Sequence, residues 1–98
     1  PYDLLVDAGL KIHRIQIKTT TTEMEGKPGK FGFVLQHGNG SSYQDDAVDF
    51  FGLVVLPLHT IYIVPTEIIA GRTKCSAYPG NPNSLGRLEA YKEAWHLI

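Results

Sequence analysis

The segment Asp49–Leu56 constrains the fold of this chain more than any other feature, because it is apolar almost without interruption. After Asp49 it reads Phe-Phe-Gly-Leu-Val-Val-Leu, with no polar residue at alternate positions. A strand with one face in water alternates apolar and polar residues, whereas a strand covered on both faces is apolar throughout. We therefore predict a central strand that is buried between two layers. The 98 residues suffice for a single domain with one modest core.

Shorter strands surround this segment, separated by turns that draw on ten glycines and six prolines. Their residues are β-branched or aromatic, or alternate between apolar and polar, as is typical of strands. The polar segment Glu23–Lys30, with its glycines and proline, predicts a mobile loop. The predicted strands are Tyr2–Val6, Leu10–Thr20, Phe31–Gln36, Ile61–Val64 and Thr73–Ala77.

Helices are predicted at three places. A single turn is expected over Gln44–Ala47, and a short helix is expected to begin at Thr66 as N-cap and to end at Gly71. Near the end of the chain, apolar residues recur at helical spacing from Leu85 to Ile98. This spacing predicts a final helix with one apolar stripe lying on the sheet.

Charge and cysteine content exclude several classes of protein. The formal net charge of −1 argues against nonspecific binding of nucleic acid through the overall field of the protein. Five cations nevertheless lie in the first third of the chain. The single cysteine, Cys75, excludes an intrachain disulfide and a cysteine-based zinc site. The longest apolar stretch, Phe50–Leu58, is far shorter than the roughly 20 residues of a membrane-spanning helix. We therefore expect an intracellular protein without a membrane partner.

The opening of the chain brings together three residue types that suit phosphodiester chemistry. If the first two strands pair as an antiparallel hairpin around Gly9, Asp3 comes opposite Gln16 or its neighbours. Lys18 lies two residues beyond Gln16 and therefore on the same face. Carboxylate and amide oxygens suit Mg²⁺, and an ammonium group can stabilise charge on a phosphate. This spacing also occurs by chance, so a purely structural hairpin in a small α/β domain remains an alternative interpretation.

The segments Pro1–Val6 and Arg14–Thr20 resemble the small PD-(D/E)xK endonucleases, in particular the branch that includes group I intron homing endonucleases. Val48–Phe51 and Ile61–Pro65 resemble the paired central strands of that branch, which precede a short helix. The resemblance implies an α/β fold with a mixed central β-sheet and flanking helices, similar to restriction endonucleases, over residues 1–98 as one domain. The family carries a helix upstream of the aspartate, and we expect that helix to be absent from this chain.

The resemblance also assigns roles to the opening residues. By this resemblance Asp3 is the acidic metal ligand, Gln16 replaces the second acidic ligand, and Lys18 is the catalytic lysine. It implies an Mg²⁺-dependent, or Mn²⁺-dependent, endonuclease that hydrolyses DNA phosphodiester bonds in a prokaryotic or phage-infected cytoplasm. Basic residues outside the trio are candidate DNA contacts, namely Arg14, Lys27 and Lys30.

A second hypothesis is a non-catalytic, nuclease-like module that binds DNA or oligomerises. With Gln16 neutral, Asp3 is the only carboxylate of the core motif, which makes a poor cage for a divalent cation. A missing upstream helix would also leave one face of the sheet poorly covered. That situation predicts marginal stability, or a partner chain such as a second copy of this protein.

Overall fold

The structure of the protein is a computed structural model that describes residues 4–7, 9, 11–35, 48–69, 71–80 and 88–98. These residues form six strands, one α-helix of a single turn and three short turns of 3-10 helix. The strands are β1 (Leu4–Asp7), β2 (Ile12–Thr20), β3 (Phe31–Val34), β4 (Phe50–Val55), β5 (Thr60–Pro65) and β6 (Lys74–Ala77). The α-helix is α1 (Thr66–Ile69), and the 3-10 turns are Leu56–Leu58, Glu89–Tyr91 and Trp95–Leu97.

The central sheet is mixed and has the strand order β1-β2-β4-β5. β1 and β2 form an antiparallel hairpin in which Leu4 lies opposite Ile15 and Asp7 lies opposite Ile12. β2 and β4 are parallel, while β4 and β5 form a second antiparallel pair. The remaining strands, β3 and β6, make a separate antiparallel sheet of two strands. The mixed sheet and the opening hairpin confirm the prediction from sequence.

Both faces of β4 are covered, as its apolar sequence predicts. Phe51, Leu53 and Val55 point to one face and are at most 2% exposed. They belong to the larger cluster, here called the main core, which the sheet of β3 and β6 covers from the other side. Its buried members are Phe31, Phe33, Leu35, Val48, Phe51, Leu53, Val55, Tyr62, Val64, Ile69, Ala77 and Leu88.

The opposite face of the central sheet carries a smaller cluster, here called the second core. Its buried members are Ile15, Phe50, Ile63 and Ala94. Partly buried side chains at the end of the chain, among them Leu97 and Ile98, pack against it. A layer of short C-terminal turns therefore covers this face of the central sheet.

Gly52 allows β2 and β4 to approach closely on the side of the second core. A Cβ atom at this position would lie only 2.8 Å from Cδ1 of Ile17, its register partner in β2. That separation is shorter than any normal carbon–carbon contact. A glycine is therefore required for Ile17 to pack over the middle of β4.

The helix α1 confirms the predicted helical turn, but Thr66 does not act as the predicted N-cap. Thr66 is the first residue of the helix, and its hydroxyl donates a hydrogen bond of 2.9 Å to the carbonyl oxygen of Val48. The hydroxyl is buried and satisfies a carbonyl group just before β4, so it stabilises the approach of two strands instead. Gly71 has a φ of +78° just beyond the helix, as expected for a residue that ends one.

The predicted final helix is wrong over its described part, residues 88–98. Two separate 3-10 turns are present instead, and Glu93 between them has a φ of +51°. The backbone of Glu93 donates a 2.8 Å hydrogen bond to the carbonyl of Ile61, and Lys92 forms a bridge with Tyr62. This segment thus extends along the outer edge of β5, whose backbone groups need partners that a helix could not provide.

Several expectations concern residues outside those that the structure describes, among them the helical turn at Gln44–Ala47 and the strand ends at Tyr2, Leu10 and Gln36. Glu23–Lys30 forms a turn-rich loop, which confirms the predicted loop, and its mobility stays a prediction. None of the helices in the described ranges has the length and apolar character needed to cross a membrane.

Candidate active site

Gln16 and Lys18 lie side by side on an inner strand. β2 is hydrogen-bonded to β1 over Ile12–Ile15 and to β4 over Ile15–Thr20, so within the described residues Gln16 and Lys18 are paired with β4. Gln16 is the register partner of Phe51, and Lys18 is the register partner of Leu53. Both polar side chains therefore share the face of the main core, and both are half-buried.

The intervening residues hold β2 in this orientation. Ile15 is 3% exposed in the second core, and Ile17 packs over Gly52 on the same side. Because side chains alternate along a strand, anchoring these isoleucines on one face directs Gln16 and Lys18 to the other. The alternation predicted from the sequence is thus present in the structure.

Asp3, the third member of the predicted trio, lies outside the described residues. The described part of the opening hairpin ends at the pair Leu4–Ile15. The structure brings Gln16 and Lys18 together and leaves the position of Asp3 as a prediction. Within the described ranges, no group of three or more histidine, cysteine, aspartate or glutamate side chains could hold a metal ion.

Arg14 and Asp49 clamp the beginning of the parallel pair of β2 and β4. The backbone N–H of Arg14 donates a 2.7 Å hydrogen bond to Oδ2 of Asp49, and the guanidinium Nη2 lies 3.3 Å from Oδ1. In return, the backbone N–H of Asp49 donates to the carbonyl of Arg14 at 2.8 Å. The backbone N–H and the side chain of Arg14 together lower the pKa of Asp49 below its ordinary value of 3.8.

The three predicted DNA contacts have different environments. Arg14 is engaged in the clamp with Asp49, although its side chain remains 39% exposed. Lys27 is exposed in the loop between β2 and β3. Lys30 is half-buried, with its Nζ 5.9 Å from the centroid of the Tyr78 ring. Their roles in binding DNA stay predictions.

Sequence reasoning missed Glu89, which connects three parts of the chain. Its carboxylate accepts a 3.0 Å hydrogen bond from the backbone N–H of Tyr78 and contacts the Tyr62 hydroxyl at 3.3 Å. Lys92 lies 3.6 Å from the same carboxylate. Burial of Tyr62, with the negative charge of Glu89 beside it, raises the pKa of the tyrosine hydroxyl. No local motif indicates this network, because Tyr62 and Tyr78 lie far from Glu89 in the sequence.

Comparisons with known proteins agree with the arrangement of the sheet. A solved structure of a bacterial homing endonuclease, I-Ssp6803I, is similar to this chain with a TM-score of 0.77 and 24% sequence identity. The similarity covers 99% of this chain and 67% of that chain. No curated protein sequence matches this one.

The family comparison extends over nearly the whole sequence. Residues 1–97 match the model of a family described as PD-(D/E)XK endonuclease. This range includes the hairpin that carries Gln16 and Lys18 and the strands that pack against it. The chain therefore belongs to the PD-(D/E)XK endonuclease family.

Proposed function

We propose that this chain is a nuclease domain that hydrolyses DNA phosphodiester bonds with the help of Mg²⁺ or Mn²⁺. The observation that carries the proposal is the placement of Gln16 and Lys18 together on the half-buried face of β2. The parallel pairing with β4 fixes the backbone at both positions, so the amide and the ammonium group are held near each other beside the main core. Rigid placement of polar groups is what electrostatic catalysis requires.

Asp3 completes the proposed site as the metal-binding carboxylate. It directly precedes Leu4 in the sequence, and Gln16 directly follows Ile15, the register partner of Leu4. A carboxylate from Asp3 and an amide oxygen from Gln16 are hard oxygen donors, which fit Mg²⁺ and Mn²⁺. Once bound, such an ion would activate a water molecule and polarise the scissile phosphate.

Lys18 has the second chemical role in this proposal. Its ammonium group would lie beside the phosphate and offset the negative charge that develops during hydrolysis. The adjacent main core, with Leu53 fully buried beside Lys18, lowers the local dielectric and strengthens this interaction. Gln16 would direct its amide oxygen toward the metal ion without contributing a charge of its own.

The wider setting follows from family membership. We propose DNA as the substrate, with Arg14, Lys27 and Lys30 as contacts to its phosphates, and the cytoplasm of a prokaryotic or phage-infected cell as the location. The solved relative is a bacterial homing endonuclease, which supports this setting. A second copy of the chain is a candidate partner for cleavage of both strands.

A cleavage assay with a matched pair of lysine variants tests the mechanism. Supercoiled and branched DNA are incubated with Mg²⁺ or Mn²⁺ and with the parent protein, Lys18→Ala or Lys11→Ala. Lys11 is exposed just before β2, so its variant controls for the loss of one positive charge on the same stretch of chain. We expect Lys18→Ala to lower the rate by about 100-fold or more and Lys11→Ala to cleave like the parent.

The remaining outcomes separate the hypotheses. Equal cleavage by Lys18→Ala and the parent, with both folded in urea titrations, would remove Lys18 from the mechanism. If the parent binds DNA but does not cleave it with either metal, and Asp3→Ala leaves binding unchanged, the non-catalytic module is favoured instead.

A further inference from the structure

The sheet of β3 and β6 borders a groove with a volume of about 600 Å³. This is the size range of sites that hold small organic ligands. Among the residues that the structure describes, neither Gln16 nor Lys18 lines it. We call it the basic groove, and the residues that matter for its chemistry are Met24, Lys30, Gly32, Arg72, Lys74 and Tyr78.

The basic groove concentrates positive charge in a chain that is slightly acidic overall. Lys30, Arg72 and Lys74 line it, and none of the described residues that line it is an aspartate or glutamate. The formal net charge of the whole chain is −1, so this excess is local. Within the described part of the chain, no ion pair involves any of the three cations.

An aromatic ring lies next to these cations. Tyr78 is half-buried in the groove, with the Nζ of Lys30 5.9 Å from its ring centroid. Its backbone is fixed by the 3.0 Å hydrogen bond from its N–H to Glu89. Aromatic rings beside cations bind nucleotides well, because the base stacks on the ring while the phosphate meets the charge.

The loop between β2 and β3 positions Met24 and Lys30 at the basic groove. Backbone hydrogen bonds link Met24 to Lys30 at 2.8 Å and Lys27 to Met24 at 3.0 Å, which closes the loop on itself. Met24 thereby lies over Gly32, where an added Cβ would come within 3.3 Å of the methionine sulfur. Lys30 is held at the end of this folded loop. The side chain of Met24 forms an apolar wall of the groove.

We propose that the basic groove binds a nucleotide, with the phosphate held by Lys30, Arg72 and Lys74 and the base stacked on Tyr78. The nucleotide belongs to an unpaired stretch of the DNA that the nuclease domain acts on, or it is a free mononucleotide. The proposal rests on the proposed function only in taking DNA as the main ligand. It needs neither a metal ion nor any residue of the catalytic trio.

Salt-dependent binding tests the role of the cations. A labelled single-stranded oligodeoxynucleotide is titrated in EDTA, where no cleavage occurs, and its fluorescence anisotropy is followed at several salt concentrations. Each phosphate contact to single strands contributes about 0.7 to the slope of log K against log salt. We expect the slope to fall by about 0.7 in Lys74→Gln and by about 1.4 in Arg72→Gln/Lys74→Gln. Lys11→Gln, an equal charge change outside the groove, should keep the parent slope.

Variants at Tyr78 test the stacking of the base. Tyr78→Phe keeps the ring, and Tyr78→Leu keeps an apolar side chain without it. We expect Tyr78→Leu to bind single-stranded DNA about five-fold more weakly or worse, while Tyr78→Phe binds like the parent. The same sequence as a duplex is the control, because its bases are paired and cannot reach the ring.

Two results would overturn the proposal: unchanged salt slopes in the Arg72 and Lys74 variants, or equal losses for Tyr78→Leu and Tyr78→Phe. Competition with deoxyadenosine monophosphate distinguishes the two sources of nucleotide. Displacement of the oligonucleotide shows that free nucleotides are ligands, and its absence restricts the groove to nucleotides within a strand. Because metal is absent, a negative result here leaves the cleavage mechanism intact, and a failed cleavage assay leaves the groove intact.

Discussion

The two faces of the central sheet are built from the same strands and yet are packed differently. Twelve buried residues form the main core among the described residues, whereas four form the second core. A second sheet covers the first face, and only the last turns of the chain cover the other. Gln16 and Lys18 lie on the better-packed face. The two residues of the proposed site that the structure describes are thus adjacent to the larger core.

Neighbouring phenylalanines on β4 allow the two faces to be compared directly. Phe51 points into the main core and is 2% exposed, and Phe50 points into the second core and is 9% exposed. We expect Phe51→Ala to lower the free energy of unfolding by about 3–5 kcal/mol and Phe50→Ala by about 3 kcal/mol or less. Urea denaturation of both variants measures the difference.

The milder pair Phe51→Leu and Phe50→Leu serves as the control if the alanine variants do not fold. A larger loss at Phe50 than at Phe51 in both pairs would contradict the ranking of the two faces. Since a small domain has only about 5–15 kcal/mol of stability, the alanine variant at Phe51 could remove most of it.

Gly52 tests how tightly β2 and β4 fit on the side of the second core. We expect Gly52→Ala to lower the free energy of unfolding by about 1–3 kcal/mol, because the new methyl group would collide with Cδ1 of Ile17. Ile17→Val removes that atom, so Gly52→Ala/Ile17→Val should be less destabilised than the sum of the single variants. Thermal unfolding of the four proteins completes a double-mutant cycle. Additive losses would show that the contact is not the cause.

The clamp of Arg14 and Asp49 adds a polar contribution at the margin of the main core, and this contribution depends on pH. The pKa of Asp49 is lowered in the folded state, so its stabilising effect is complete well above 3.8 and is lost as the pH falls through the folded value. We expect Asp49→Asn to cost about 1 kcal/mol at pH 7, since the pair is partly exposed.

Urea midpoints of the parent and of Asp49→Asn, measured at pH 7 and near pH 3, check the sign of this effect. The difference between the two proteins should shrink at the lower pH. A difference that stays constant with pH would mean that the charge of Asp49 does not contribute.

The central strand could be predicted from the sequence because its cause is local. The apolar run of β4 requires cover on two faces, and the alternation of Ile15, Gln16, Ile17 and Lys18 fixes which side chains share a face. Alternation does not state which strand lies next to β2, and the parallel pairing with β4 was not predicted. The clamp of Asp49 was missed for this reason.

The final helix could not be predicted correctly because its cause is not local. Apolar residues from Leu88 to Ile98 recur at helical spacing, but Lys92 and Glu93 pair with β5 instead. Hydrogen bonding to the backbone of β5 therefore determines the conformation of this segment, and the helical spacing of its apolar residues does not. Arg72 and Lys74 escaped notice in the same way, because only the pairing of β3 with β6 brings them near Lys30 and Tyr78.

The segment that displaced the predicted helix has a consequence for solubility. Glu93 meets Ile61 with both its backbone and its carboxylate, which accepts a 3.0 Å hydrogen bond from the Ile61 N–H. An uncovered edge strand is a template on which other chains add strands, and this is a common route to aggregation. In the first half of β5, Ile61 and Tyr62 are occupied by the protein's own C-terminal segment. Strand addition by another chain is therefore disfavoured at these two residues, although β5 is rich in β-branched residues that favour such growth.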